Sequence, residues 1–138
     1  MKNMYVAYGS NLNLEQMAFR CPTAKVYGCG MIKNHKLVFN RVASIEPSDG
    51  MSVPVAVWLI DDNCEAALDI YEGYPHAYRK EMIDVEMFDG KTIQGMVYIM
   101  NSNKRSLPSH SYYKTIEQGY EDVGLDKEYL VNALMEAN

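Results

Sequence analysis

A chain of 138 residues that is 48% hydrophobic and 22% charged is long enough for one domain with a substantial core, and no apolar run approaches the roughly 20 residues that span a bilayer. A net charge of −5, with no basic cluster denser than Arg79-Lys80 or Lys104-Arg105, lacks the electrostatic footprint of a nucleic-acid binder. Three cysteines and three scattered histidines without ligand spacing argue against a disulfide framework, a zinc site or a metal hydrolase; Cys21, Cys29 and Cys64 are expected as buried free thiols.

The N-terminus enters a strand-like run directly, without the apolar region and cleavage site of a signal peptide, and the expectation is a cytoplasmic protein. Residues 4 to 8 read as a strand. Leu12 to Cys21 read as a short helix with Asn11 or Asn13 as N-cap and Pro22 just past its end. Strands are predicted over 24 to 29 and 31 to 40, separated by Gly30, and over the β-branched run "SVPVAVWLI" at 52 to 60. A helix capped by Asp61 or Asp62 follows and ends at Gly73. Asp89-Gly90 between residues 80 to 88 and 92 to 100 is a strong hairpin signal. Two helices, Ser109 to Gly119 and Asp126 to Ala137, close the chain. With no repeat, low-complexity segment or long linker, residues 1 to 138 read as a single domain. About six strands and four helices, many strands joined by turns, predict an α+β domain with a curved or barrel-like mixed sheet.

Three stretches stand apart: "YGSN" at 8 to 11, "LDIYEGYPHAYRK" at 68 to 80 and "PSHSYYKTIEQGYEDVGLDKEY" at 108 to 129. Singly, each has an ordinary explanation. Gly, Ser and Asn suit a strand-to-helix turn, a helix-end Glu is commonly solvated, and most of the 11 tyrosines must be packing residues. In this order, with "MAFRCP", "VPVAVW" and "MVYIM" between them, they resemble the γ-glutamylcyclotransferase family over almost the whole chain.

The resemblance implies a small barrel-like sheet with surrounding helices and a cavity between the Tyr-Gly-Ser-Asn loop and one catalytic acid. By motif position the loop residues are Tyr8, Gly9, Ser10 and Asn11, the acid is Glu72, and Tyr98 and Tyr112 lie near the substrate, with Tyr113 one residue from the matched register. It also implies a small γ-glutamyl substrate, an activity in glutathione metabolism, no cofactor, no metal, no nucleic-acid or membrane partner, and leaves a homodimer open. Two departures are visible. Val55 stands where relatives often carry Gly before the tryptophan, and the chain stops at Asn138 where some relatives continue, so a dimer contact made by such a tail does not transfer.

Family members cyclise a γ-glutamyl amide: the substrate's own α-amine attacks its γ-carbonyl, closing 5-oxoproline and expelling the attached amine. No protein nucleophile, metal or cofactor is required, but the ammonium must lose a proton to a base. Glu72 fits that role if burial beside apolar neighbours such as Tyr71, Tyr74 and Pro75 raises its pKa above the usual 4.3 or so. Gly9, lacking a side chain, lets the backbone come close to the ligand, so the turn's amides are expected to face it and stabilise an oxyanion. Two other readings share these motifs. One is a cyclotransferase releasing an amine, such as a γ-glutamyl-lysine isopeptide or an antibiotic intermediate; the other is a non-catalytic ligand-binding module. The wall around the leaving group is expected from residues 40 to 52 and 101 to 112.

Overall fold

The first strand stops where its apolar run does. In the computed structural model, which describes residues 3–138, β1 (Asn3–Ala7) runs into Tyr8 and Gly9, and a one-turn 3-10 helix (Ser10–Leu12) leads to α1 (Leu14–Arg20). Asn13 is the N-cap of α1, its side chain accepting a hydrogen bond from the Gln16 amide.

Gly30 does not break a strand. Residues 25 to 40 form one strand, β2 (Lys25–Asn40), and Gly30 is needed because the strand carrying Glu86 and Met87 pairs closely there: a Cβ would lie 2.4 Å from the Glu86 carbonyl oxygen. β3 (Val42–Ile60) is twice the predicted length, because its first half carries the turn-like residues Glu46-Pro47-Ser48-Asp49-Gly50 in a hairpin extension. Arg41, at φ 73°, makes the tight reversal between β2 and β3. Val55 is fully buried and pairs with Gly30, a large residue opposite a small one, so the departure from the family pattern is accommodated in the ladder.

α2 (Asp62–Glu72) is capped by Asp61, which accepts from the Cys64 amide, and ends at Gly73 in the left-handed conformation (φ 67°). β4 (Tyr78–Met87) and β5 (Thr92–Met100) form the predicted Asp89-Gly90 hairpin, with Gly90 at φ 95°. α3 (His110–Val123) and α4 (Glu128–Glu136) close the chain. The five strands form a closed barrel in the order β1-β3-β2-β4-β5, completed by a parallel β1–β5 contact at Tyr5 and Met96. The fold is therefore α+β with a mixed barrel and four helices, with five strands in place of about six because Gly30 separates nothing. Among the described residues no helix is long and apolar enough to cross a membrane.

The cysteine expectation is corrected. Cys21, at the C-cap of α1, is disulfide-bonded to Cys64 in the first turn of α2, their Cα atoms 5.0 Å apart, and Cys29 alone remains a free thiol. A separation of 43 residues carries no pairing signal; the barrel brings the two helix ends together. Closing a loop of that length constrains the unfolded chain by up to about 4 kcal/mol. Replacing Cys21 and Cys64 by Ala is expected to cost about 2–4 kcal/mol, read as a lower thermal midpoint that reductant no longer changes. An unchanged midpoint would mean that the bond adds no stability.

Candidate active site

Where β1 gives way to the 3-10 turn, the chain lines one end of the barrel with tyrosines. A cleft of about 310 Å³, open mouth included, is bounded by Tyr5, Tyr8, Gly9, Ser10 and Asn11 on one side and by Glu72, Tyr78, Tyr98 and Tyr112 on the other. All seven residues singled out in the sequence (Tyr8, Gly9, Ser10, Asn11, Glu72, Tyr98 and Tyr112) border this one cleft. Tyr113 does not; its ring packs 6.1 Å from that of Phe39.

The turn is held from several directions. Asn11 is buried, its Nδ2 donates to the Tyr5 hydroxyl at 2.9 Å, its Oδ1 accepts from Arg20 at 2.8 Å, and its carbonyl accepts from the Trp58 indole at 3.1 Å. Ser10 Oγ lies 2.9 Å from the Tyr71 hydroxyl. The carbonyls of Gly9 and Ser10 accept from the amides of Leu12 and Asn13, whereas the amides of Gly9, Ser10 and Asn11 donate to no backbone carbonyl among the described residues. That is the usual state of the first amides of a helical turn, which favour an anion or oxygen ligand. Gly9 sits at φ −125°, so its need is space: a Cβ would press 3.3 Å from the Ala43 Cβ and 3.7 Å from the Tyr112 hydroxyl.

Opposite the turn, Ala43 is gripped on both sides, its carbonyl accepting from Tyr78 at 2.7 Å and its amide donating to the Tyr112 hydroxyl at 3.0 Å. Tyr8 donates to the Tyr98 carbonyl at 2.7 Å, and Tyr98 donates to Asp69 at 2.6 Å, where Lys80 also bridges Asp69 and Glu65. Burial raises the pKa of Tyr5, Tyr8, Tyr78, Tyr98 and Tyr112, so these hydroxyls stay protonated across the working pH range.

Glu72 is the last residue of α2, at the negative end of the helix, where a carboxylate is least favoured. Burial pushes its carboxyl up from 4.5 to about 7, and the positive charge of Arg20 pulls in the opposite direction. The expected neighbours of the carboxyl lie on its outer side. Tyr71 borders a second, outer cleft with Val42, Ile70, Gly73 and Ala77, while Tyr74 is 40% exposed and lies beneath the Lys80 ammonium. Glu72 lines this outer cleft as well, and on its inner side it shares the first cleft with tyrosines supplied by β1 and the turn after it, β4, β5 and α3. Among the described residues no group of three or more His, Cys, Asp or Glu could hold a metal ion.

Residues 5–119 match the family model described as gamma-glutamyl cyclotransferase, AIG2-like. The chain belongs to this family. Among curated proteins, the gamma-glutamylcyclotransferases of Bos taurus and Homo sapiens are 31% and 30% identical, each match covering 91% of this chain and 74% of the relative. A solved structure of a gamma-glutamyl cyclotransferase superposes with a TM-score of 0.86 at 27% identity, covering 96% of this chain and 86% of that one. The barrel is thus the γ-glutamylcyclotransferase fold, and the chain is an enzyme.

Three residues of this cyclotransferase's site escape sequence reasoning. Tyr5 and Tyr78 lie inside strands and read there as core. Arg20, in the last turn of α1, would ordinarily complement that helix's own carbonyls, yet it reaches back nine positions to Asn11. Only the run of tyrosines near each motif hints at a shared aromatic cleft.

Proposed function

We propose that the protein releases 5-oxoproline from a γ-glutamyl amino acid or related γ-glutamyl amide, with Glu72 as the only protein group that changes protonation. The observation that carries this is a half-buried carboxyl with a pKa near 7 facing a turn whose leading amides have no backbone acceptor. A base that titrates near neutrality can take a proton from the substrate ammonium and still release it. The freed amine attacks the γ-carbonyl carbon. Charge then develops on the carbonyl oxygen, and the amides of residues 9 to 11 are the proposed donors to it, each worth roughly 3–4 kcal/mol by analogy with measured oxyanion holes. Ring closure breaks the bond to the leaving nitrogen. Two protons leave the attacking nitrogen in all and two arrive on the departing one, and a single carboxyl can relay both in turn.

The tyrosine hydroxyls supply uncharged donors that hold the γ-glutamyl chain folded for attack, the positioning effect that reaches about 7–11 kcal/mol in favourable cases. The leaving group would lie along the outer cleft, which shares Glu72, Tyr78 and Tyr112 with the inner one. Of the outer cleft's lining, Val42 and Tyr112 belong to the expected stretches, and Ile70, Gly73 and Ala77 to the end of α2 and the turn after it. Its aliphatic and aromatic surface favours an apolar leaving side chain.

The test is release of 5-oxoproline from a panel of γ-glutamyl compounds, followed over pH with chelator present. kcat/KM is expected to fall with decreasing pH through a midpoint near 7, because protonation of Glu72 in the free enzyme removes the base. A midpoint near 4.5, the ordinary value for Glu, would contradict the enclosed carboxyl, and dependence on added metal would contradict the single-carboxyl mechanism.

A further inference from the structure

We propose that Arg20 is a positioning residue for this reaction: it fastens the Tyr-Gly-Ser-Asn turn to the helix that carries Glu72 and keeps a positive charge beside the cleft. The proposal rests on the reading of Glu72 as the proton carrier. Its basis is a closed ring of contacts. Arg20 Nη1 donates to Asn11 Oδ1 at 2.8 Å, and the guanidinium carbon lies 3.5 Å from the centre of the Tyr71 ring. The Tyr71 hydroxyl in turn meets Ser10 Oγ at 2.9 Å. Asn11 and Ser10 belong to the turn, and Tyr71 directly precedes Glu72 at the end of α2. Arg20 therefore touches the turn on one side and the end of the helix that carries Glu72 on the other, without lining the cleft. The neighbouring Cys21–Cys64 bond joins the same two helices, so Arg20 stands on a fixed base.

The chemistry calls for arginine. A planar guanidinium can lie flat on an aromatic ring and donate in its own plane to an amide oxygen, whereas an ammonium is a point charge with no such fork. The other titratable groups lining the clefts with Glu72 are tyrosine hydroxyls: Tyr5 and Tyr8 from β1 and the turn, Tyr71 from α2, Tyr78 from β4, Tyr98 from β5 and Tyr112 from α3. Burial keeps the hydroxyls of Tyr5, Tyr8, Tyr78, Tyr98 and Tyr112 protonated at neutral pH. Arg20 is the cation acting on the carboxyl, and it opposes the rise that burial causes.

Two substitutions separate the two roles. Arg20→Met keeps much of the stem but loses charge and fork; the acid limb of kcat/KM is expected to move up by about one pH unit, which for a limb starting near 7 is about a fivefold loss at pH 7 that is recovered by pH 9, on top of the fall in plateau that loss of the fork brings. Arg20→Lys keeps the charge and loses the fork; the limb is expected to stay in place while the plateau rate falls about tenfold or more as the turn loses its anchor. A carboxyl 13C NMR titration of Glu72 in the parent and in Arg20→Met reads the same shift without turnover. An Arg20→Met variant with lower thermal stability but an unmoved Glu72 titration would reduce Arg20 to a structural residue and overturn the proposal. If the parent protein releases no 5-oxoproline, the cyclisation reading fails, and the NMR midpoint alone then decides whether Arg20 acts on Glu72.

Discussion

Glu72→Gln is expected to lower 5-oxoproline release by about 10²–10⁴-fold, the range associated with a positioned acid–base group, while the protein becomes no less stable. The amide keeps the shape of the carboxyl and cannot take a proton. The stability half of the result follows from the direction of the pKa shift. A carboxyl at about 7 in the folded chain and near 4.5 when exposed means that the folded state holds the extra proton between those values. The parent therefore loses stability as pH rises from 4.5 through 7, by up to about 3 kcal/mol at pH 8. Glutamine carries no charge to bury, so the variant should unfold several degrees higher than the parent at pH 8 and at a similar temperature at pH 4.5. A structural carboxylate would give the opposite pairing, with activity and stability lost together. Substrate affinity measured by calorimetry should change little, because the turn and the tyrosines remain.

The two halves of the cleft differ in how far the sequence discloses them. "YGSN" and the Glu-Gly helix end are legible through their order along the chain, which resembles the family's motifs; locally only the helix stop is readable, from the glycine that takes the left-handed conformation after Glu72. The choice between Tyr112 and Tyr113 follows from helix phase, which Ser109 sets by capping α3 through the Tyr112 amide. What stays hidden depends on long-range register. Tyr5 reaches the site only because β1 closes the barrel against β5, and Tyr78 because the β4–β5 hairpin sets its hydroxyl against Ala43, 35 residues away. Gly30 and the Glu46–Gly50 segment look like interruptions, since Gly, Pro and Asp are turn formers. In the structure the first allows strands to cross and the second extends a hairpin. The Cys21–Cys64 bond is invisible for the same reason: its two ends meet only once the barrel has placed α2 beside α1.

Gly119→Ala should be the most damaging single methyl in the site's support. In an isolated helix that change is worth about 1 kcal/mol in favour of alanine, so the expected sign is reversed by the tertiary contact. Gly119 is buried in α3 where that helix lies on the 3-10 turn, and a Cβ would stand 2.6 Å from the Asn13 amide nitrogen and 2.7 Å from the Leu12 carbonyl carbon. Both are backbone atoms, and no rotamer change can relieve the overlap. The helix must move away, against the bonds from Asn13 Nδ2 to the Thr115 carbonyl and from the Leu14 amide to Asp122. Overpacking of this kind costs about 1–3 kcal/mol, and the displacement carries Tyr112, two turns upstream on the same helix, away from Ala43 and the cleft. A shift of about 1 Å at a positioning residue can cost on the order of 10²-fold in rate. The variant is therefore expected to unfold several degrees below the parent and to lose one to two orders of magnitude in kcat/KM, with the acid limb still near 7 because Glu72 sits on a different helix. Parent-like stability and turnover would show that α3 does not depend on close contact with the turn to hold Tyr112 in place.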